Sequence, residues 1–168
     1  FGFYLLIAFS PHSILGNFLQ HYFNIRLVFS FPGLVVGSVL YSLPFMAHPI
    51  QAGLQNLPVS LKEASYSLGK SRLETLFMVL IPNIKRSVLT GIVLSFAHTI
   101  GEFGVVLMIG GNIEGRTKVA SIAIYDQVES LDFQGANLYS IILLILSFGI
   151  LLFVYYVNKE KYNTTKYI

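Results

Sequence analysis

The 168-residue sequence contains no cysteine and no tryptophan, and Asp, Glu, Lys and Arg together make up only 11% of it. Without cysteine there is no disulfide framework, no thiol nucleophile and no thiolate metal site. His12, His21, His48 and His98 are scattered without metal-ligand spacing, so no metal is expected. A formal charge of +3, spread over several loops, gives no basic surface for nucleic acid. Charge is also absent in a pattern. There is no Asp, Glu, Lys or Arg from Leu27 to Leu61 or from Phe133 to Asn158, and only Glu102 from Ser87 to Ile113.

What is present is apolar: 54% of the residues are hydrophobic, above the usual range of soluble domains. Each uncharged run is long enough to cross about 30 Å of hydrocarbon as a helix. We therefore expect an all-α fold, a polytopic transmembrane helical bundle with spans at about 31–54, 87–109 and 137–157. The opening FGFYLLIAFS is too short to cross alone, begins without Met, and lacks the basic leader and small-residue cleavage site of a signal peptide. Residues 1–9 are expected to be a partial span, the fold being N-terminally truncated. With no internal repeat or low-complexity tract, residues 1–168 read as one membrane domain.

The basic residues sort by loop. Lys62, Lys70, Arg72, Lys85 and Arg86 fall between the second and third apolar stretches, and Lys159, Lys161 and Lys166 follow the last. The other connections hold only Arg26, Arg116 and Lys118. The positive-inside rule places loop 56–86 and the C-terminus in the cytoplasm, and the 110–136 connection outside. That connection includes GGNIEGRT, residues 110–117, one side chain away from a phosphate-binding loop because Arg116 stands where the lysine belongs. It follows a span rather than a buried strand and faces away from cytoplasmic ATP. We read it as a tight external turn using Gly110, Gly111, Asn112, Gly115 and Arg116. The segment after it, with Val119, Ile122, Val128 and Leu131 near helical spacing, reads as a short amphipathic helix at the membrane surface.

Loop 56–86 carries the most informative local pattern. Ser60 and Glu63 have capping-box spacing, which predicts a helix from Leu61 with Leu61, Ala64, Ser65 and Leu68 on one face and a left-handed stop at Gly69. Ser71 and Glu74 repeat the spacing and start a second helix, carrying Leu73, Leu76, Phe77 and Leu80, that Pro82 ends or kinks. A helix of two turns is marginal alone and needs a partner surface. Packing against the spans would supply one; so would a cytoplasmic motor protein gripping a capped knob.

Glu63-Ala64-Ser65, then three residues, Gly69, nine residues and Val79-Leu80-Ile81-Pro82 resembles the EAA signature of ABC-importer permeases, E-A-A-x3-G-x9-I-x-L-P. Ser65 replaces the second alanine, Val79 the isoleucine and Ile81 the leucine. GEFGVVLMIGGNIEGRTKVASIAIY, residues 101–125, is similar to the region that molybdate permeases share most closely; sulfate permeases are similar around GEFG. The resemblance covers essentially the whole chain. It implies a homodimer in the bacterial inner membrane, two cytoplasmic ATPase subunits that bind ATP and Mg, and an external binding protein. No cofactor is expected on this chain. Residues 61–68 would be the coupling helix, with Ser60, Leu61, Glu63, Ala64, Ser65, Leu68 and Gly69 as its site. The cargo would be molybdate or tungstate, with sulfate as the alternative.

An intramembrane enzyme needs a nucleophile with its base, or metal ligands, and the spans offer only His48, His98, Glu102 and hydroxyls. A secondary transporter or channel would use an embedded carboxylate, yet has no need of a capped cytoplasmic helix. Glu102, flanked by Gly101 and Gly104 and one helical turn beyond His98, should face the bundle or the dimer pathway. An ionised glutamate repels a dianion, so these four residues are expected to form a gate or internal polar element rather than an anion ligand. No basic residue lies inside a span, which leaves selectivity to the binding protein.

Overall fold

A computed structural model describes the backbone of residues 1–164 and the side chains up to Tyr156; Lys159, Lys161 and Lys166 of the topology argument lie outside the described side chains. Every regular element among the described residues is a helix, with no strand: α1 (Gly2–Phe9), α2 (Ile14–Phe23), α3 (Phe31–Gln55), α4 (Val59–Ser67), α5 (Arg72–Thr75), a π-helical turn (Leu76–Leu80), α6 (Ile81–Asn83), α7 (Lys85–Ile100), α8 (Gly104–Gly110), α9 (Ala120–Glu129) and α10 (Phe133–Thr164). Packing divides the chain into two compact units, Phe1–Ser38 with the chain from Ile100 onward, and Val39–Thr99.

Among the described residues, two helices are long and apolar enough to cross a membrane, α3 and α10 over Phe133–Tyr156. Two bent pairs reach that length together: α1 with α2, bent by 50°, and Arg72–Asn83 with α7, bent by 77°. The second bend follows from Pro82, which has no amide to donate and crowds the carbonyl of Met78. The ladder widens into the π turn just before it, and the chain breaks at Ile84. The apolar run 87–109 is not one helix. It opens at Gly101–Phe103, between α7 and α8, where two glycines weaken the helix and the Ser121 hydroxyl donates to the Glu102 carbonyl at 2.6 Å.

In the first unit, Leu34, Val106 and Ile122 form a buried cluster with Phe103, Leu107 and Val119 around it. Helix α1 packs on α8 and α9 on α10. Small residues set the spacing: a Cβ on Gly2 would come 3.2 Å from the Val105 Cα. Helix α9 forms in the expected segment; Ile122 is fully buried, Val128 is 43% exposed and Leu131, just past the helix, is 74% exposed. In the second unit Gly91 lets α7 close on α3 at Met46, and the Ser42 and Thr99 hydroxyls share a hydrogen bond of 2.7 Å. The outer surface of α10 is apolar and uncovered, from Ile141 to Tyr156, as hydrocarbon requires.

Truncating a side chain with no exposed surface removes its contacts and leaves a void. Ile122→Ala should therefore destabilise the first unit by about 2–5 kcal/mol, visible as a lower melting temperature of the detergent-solubilised protein. Val128→Ala on the same helix should leave the melting temperature nearly unchanged.

Candidate functional site

The stretch 58–84 forms a knob within the second unit. Helix α4 starts two residues earlier than the sequence pattern suggests, because Pro58 takes the N-cap position and Val59 the first helical one. Ser60 then lies inside the first turn, and the Ser60–Glu63 capping box does not form: α4 has no side-chain cap bond. The second box does form. The Ser71 amide donates to Glu74 Oε2 at 2.7 Å and the Glu74 amide to Ser71 Oγ at 3.3 Å. Gly69 is left-handed at φ 77°. Its amide donates to Tyr66 at 2.9 Å and the Lys70 amide to Ser65 at 3.2 Å, the paired bonds of a Schellman stop.

The expected single face of Leu61, Ala64, Ser65 and Leu68 is split. Ser65 is buried, Leu61 half-buried, and Ser60, Glu63 and Ala64 are exposed. Leu68 lies just past the helix and is 80% exposed, and Val59 is 69% exposed. Ser65 is pinned from behind: its hydroxyl shares a hydrogen bond of 2.9 Å with that of Thr75, which has no exposed surface. Thr75 is a site residue that pattern reading missed. The available signal was Ser65 itself, because a hydroxyl replacing a small apolar side chain at a buried position needs a partner.

The second candidate region, 98–126, runs into the first unit. His98 sits at the last turn of α7, its ring stacked on Phe45 with centroids 3.9 Å apart and tilted against Tyr41 at 4.8 Å. Helix α7 ends at Ile100, so the register that would set Glu102 one turn beyond His98 does not continue. Gly101 is in the turn, Glu102 is only 5% exposed, and Gly104 begins α8 with open space where a Cβ would stand. The pathway reading of these four residues rests on sequence.

Beyond α8 the turn is locked. Gly110 is not left-handed; it ends α8, wedged between Leu34 and Thr117. The positive φ angles fall on Gly111, Asn112 and Gly115, at 71°, 51° and 68°. Thr117, 1% exposed, donates to the Gly110 carbonyl at 2.7 Å and accepts from the Ile113 amide at 2.9 Å. The Ile113 carbonyl accepts from the amides of Arg116, Thr117 and Lys118. Asn112 donates to both oxygens of Asp126, at 3.0 and 3.1 Å, and Lys118 Nζ lies 2.7 Å from the same carboxylate. The lysine and then the amide hold the Asp126 carboxyl below its ordinary range, and Asp126 raises Lys118 in return. Arg116 stays exposed and lines an open cleft with Arg26.

Residues 1–161 match the family described as binding-protein-dependent transport system inner membrane component. Among curated proteins, the chain is 39% identical over 160 residues to the molybdenum transport system permease protein ModB of Azotobacter vinelandii, covering 95% of this chain and 71% of that protein. It is 32% identical to the probable transport system permease protein NifC of Clostridium pasteurianum, over 91% of this chain and 53% of the relative. It is 34% identical to a probable sulfate transport system permease protein cysT of Anthoceros angustus, over 98% of this chain and 57% of the relative. The chain thus spans between half and about seven-tenths of the length of these three relatives.

Ser65→Ala or Thr75→Val alone leaves one buried hydroxyl unsatisfied and should destabilise the knob by about 1–3 kcal/mol; the double variant should recover much of that loss. Hydrogen exchange of residues 59–76 across this cycle measures it. Because Asp126 ionises below the ordinary aspartate range, the stability it lends is complete above that range and disappears as acid protonates it. A fluorophore on a cysteine at Glu114 should report the turn loosening with a midpoint below that of a free aspartate, and Asp126→Asn should abolish the transition.

Proposed function

We propose that this chain, which belongs to the binding-protein-dependent transport system inner membrane components, is the membrane-spanning subunit of an ATP-driven importer for a tetrahedral oxyanion, molybdate or tungstate. The observation that carries the cargo assignment is the 39% identity to a molybdenum transport permease along 95% of this chain. Sulfate is the second reading, favoured by the 34% identity to a sulfate transport permease over 98% of the chain. It forms a homodimer in a bacterial inner membrane and receives its cargo from an external binding protein. ATP is hydrolysed on two cytoplasmic ATPase subunits, so this chain is a transport subunit and not an enzyme. The excess of Lys and Arg in loop 56–86 supports placing that loop and the C-terminus in the cytoplasm.

Coupling runs through α4. What supports this is a short helix with its back held by Ser65 and Thr75, a rigid stop at Gly69, and Val59 and Leu68 left bare on the knob. Exposed apolar side chains beside Glu63 on a pinned element suit a groove on another protein. Glu102, with Gly101, Gly104 and His98, is assigned to the gate, since a carboxylate repels a dianion and a buried one at a helix break marks a place where the backbone opens.

A Cβ at Gly69 meets nothing else of this chain within 4 Å, so strain within the permease on substitution comes from its left-handed backbone. Gly69→Val should lower the yield of permease–ATPase complex and ATP-driven uptake severalfold, whereas Gly69→Asn, which tolerates that conformation, should retain most of both. Glu63→Ala should weaken association without removing the permease from the membrane. Uptake into vesicles holding the permease, ATPase and binding protein, with molybdate, tungstate and sulfate competing, separates the two cargo readings. Normal uptake in Gly69→Val and Glu63→Ala would remove the coupling assignment.

A further inference from the structure

The first unit contains an open cleft of about 610 Å³ whose lining includes Arg26, Phe29, Ser30, Phe31, Ile113 and Arg116. Two stretches far apart in sequence contribute an arginine each to its lining. Neither side chain makes a hydrogen bond or ion pair among the described residues. The third basic side chain of these connections, Lys118, is occupied by Asp126. Asp126 is in turn held by Lys118 and Asn112, and the remaining carboxylate near Arg116, Glu114, is not part of the lining.

The cleft is held in shape by backbone. Phe29 is left-handed at φ 58°, unusual for an aromatic residue. Its amide donates to the Ile109 carbonyl at 2.8 Å and its ring lies over Gly111, where a Cβ would come within 2.5 Å of it. That contact ties the Arg26 stretch to the start of the turn. The Ile113 carbonyl, accepting three amides, holds the Arg116 end. Strain kept at such a point is characteristic of functional sites.

We infer that the Arg26–Arg116 cleft binds a tetrahedral oxyanion. Guanidinium presents a planar fork that matches such oxygens, and two of them facing one open space give charge-assisted bonds without a buried cation. The relatives named for molybdenum and for sulfate differ in cargo but would share this chemistry. The uncharged spans offer no alternative cation, so anion capture falls to the loops. The same chemistry describes a phospholipid headgroup, whose chains the exposed rings of Phe29 and Phe31 could meet. Binding in so open a cleft is weak and salt-sensitive, as an entry site needs. The inference rests on the oxyanion-permease reading for its free-anion form only.

The test uses full-length permease with its ATPase in nanodiscs of phosphatidylcholine, with binding of radiolabelled sulfate and molybdate measured by equilibrium dialysis. Saturable binding is expected, with the dissociation constant rising at least tenfold in Arg26→Gln/Arg116→Gln and largely restored in Arg26→Lys/Arg116→Lys. A second set of discs containing phosphatidylglycerol distinguishes the sources. If that lipid suppresses anion binding and is itself retained only when both arginines are present, the occupant is the headgroup phosphate. Equal binding by wild type and the Gln pair, or none of either ligand, overturns the inference. Uptake by the wild-type complex is measured in parallel: transport with no cleft binding would leave the permease reading standing, and cleft binding without oxyanion transport would leave only the site.

Discussion

Hydrocarbon offers backbone amides and carbonyls no hydrogen-bond partner, and this constraint organises the whole chain. It accounts for the absence of strands among the described residues and for helices that carry most of the backbone groups. Its stronger consequence is seen where helices stop. At Gly101–Phe103 the Glu102 carbonyl takes the Ser121 hydroxyl. At the end of α8 the Gly110 carbonyl takes the Thr117 hydroxyl, and the Ile113 carbonyl collects three amides in succession. At Gly69 two amides turn back onto the last carbonyls of α4. The Glu102 carbonyl is met by a residue distant in sequence, whereas the stops at Gly69 and Gly110 are closed by bonds local to the turn.

Those interruptions are also where the functional candidates lie. A continuous helix presents side chains at fixed intervals, whereas a break with its own hydrogen bonds can hold a glycine corner, a buried carboxyl or a pair of arginines in an arrangement no helix supports. The knob at α4 illustrates the economy of this. Nine residues of helix are too few to be stable alone. A buried Ser65–Thr75 bond and a Schellman stop hold them from one side and leave Val59, Glu63 and Leu68 free on the surface. An element held that way transmits a push, as the proposed coupling role demands.

The two units differ in how their polar groups are used. In the second, Ser42 with Thr99 and Ser65 with Thr75 are hydroxyl pairs that lock one helix to another. In the first, a charged cluster of Asp126, Lys118 and Asn112 braces the turn from outside the hydrophobic cluster of Leu34, Val106 and Ile122. Hydroxyl pairs suit surroundings of low dielectric because they add no net charge. The ion pair stands where water can still screen it.

Composition and spacing alone determined that the chain is a helical membrane protein, that α3 and α10 are its long apolar helices, and that Gly69 and Ser71 punctuate loop 56–86. These follow from local physics: an uncharged run long enough for the bilayer, a left-handed position open to glycine, a hydroxyl three residues before a glutamate. The EAA and GEFG segments added the family. Other features depended on contacts between residues far apart in sequence, and local rules misjudged them. Ser60 and Glu63 had the spacing of a cap, but Pro58 started the helix first. The run 87–109 had the composition of one span, but Ser121 reached the Glu102 carbonyl and the helix opened there. Gly110 resembled a turn residue and instead gives way to Leu34 and Thr117. The bond between Ser65 and Thr75 and the cleft that Arg26 and Arg116 both line belong to the same class: no periodicity records a meeting between segments that only the folded chain makes neighbours.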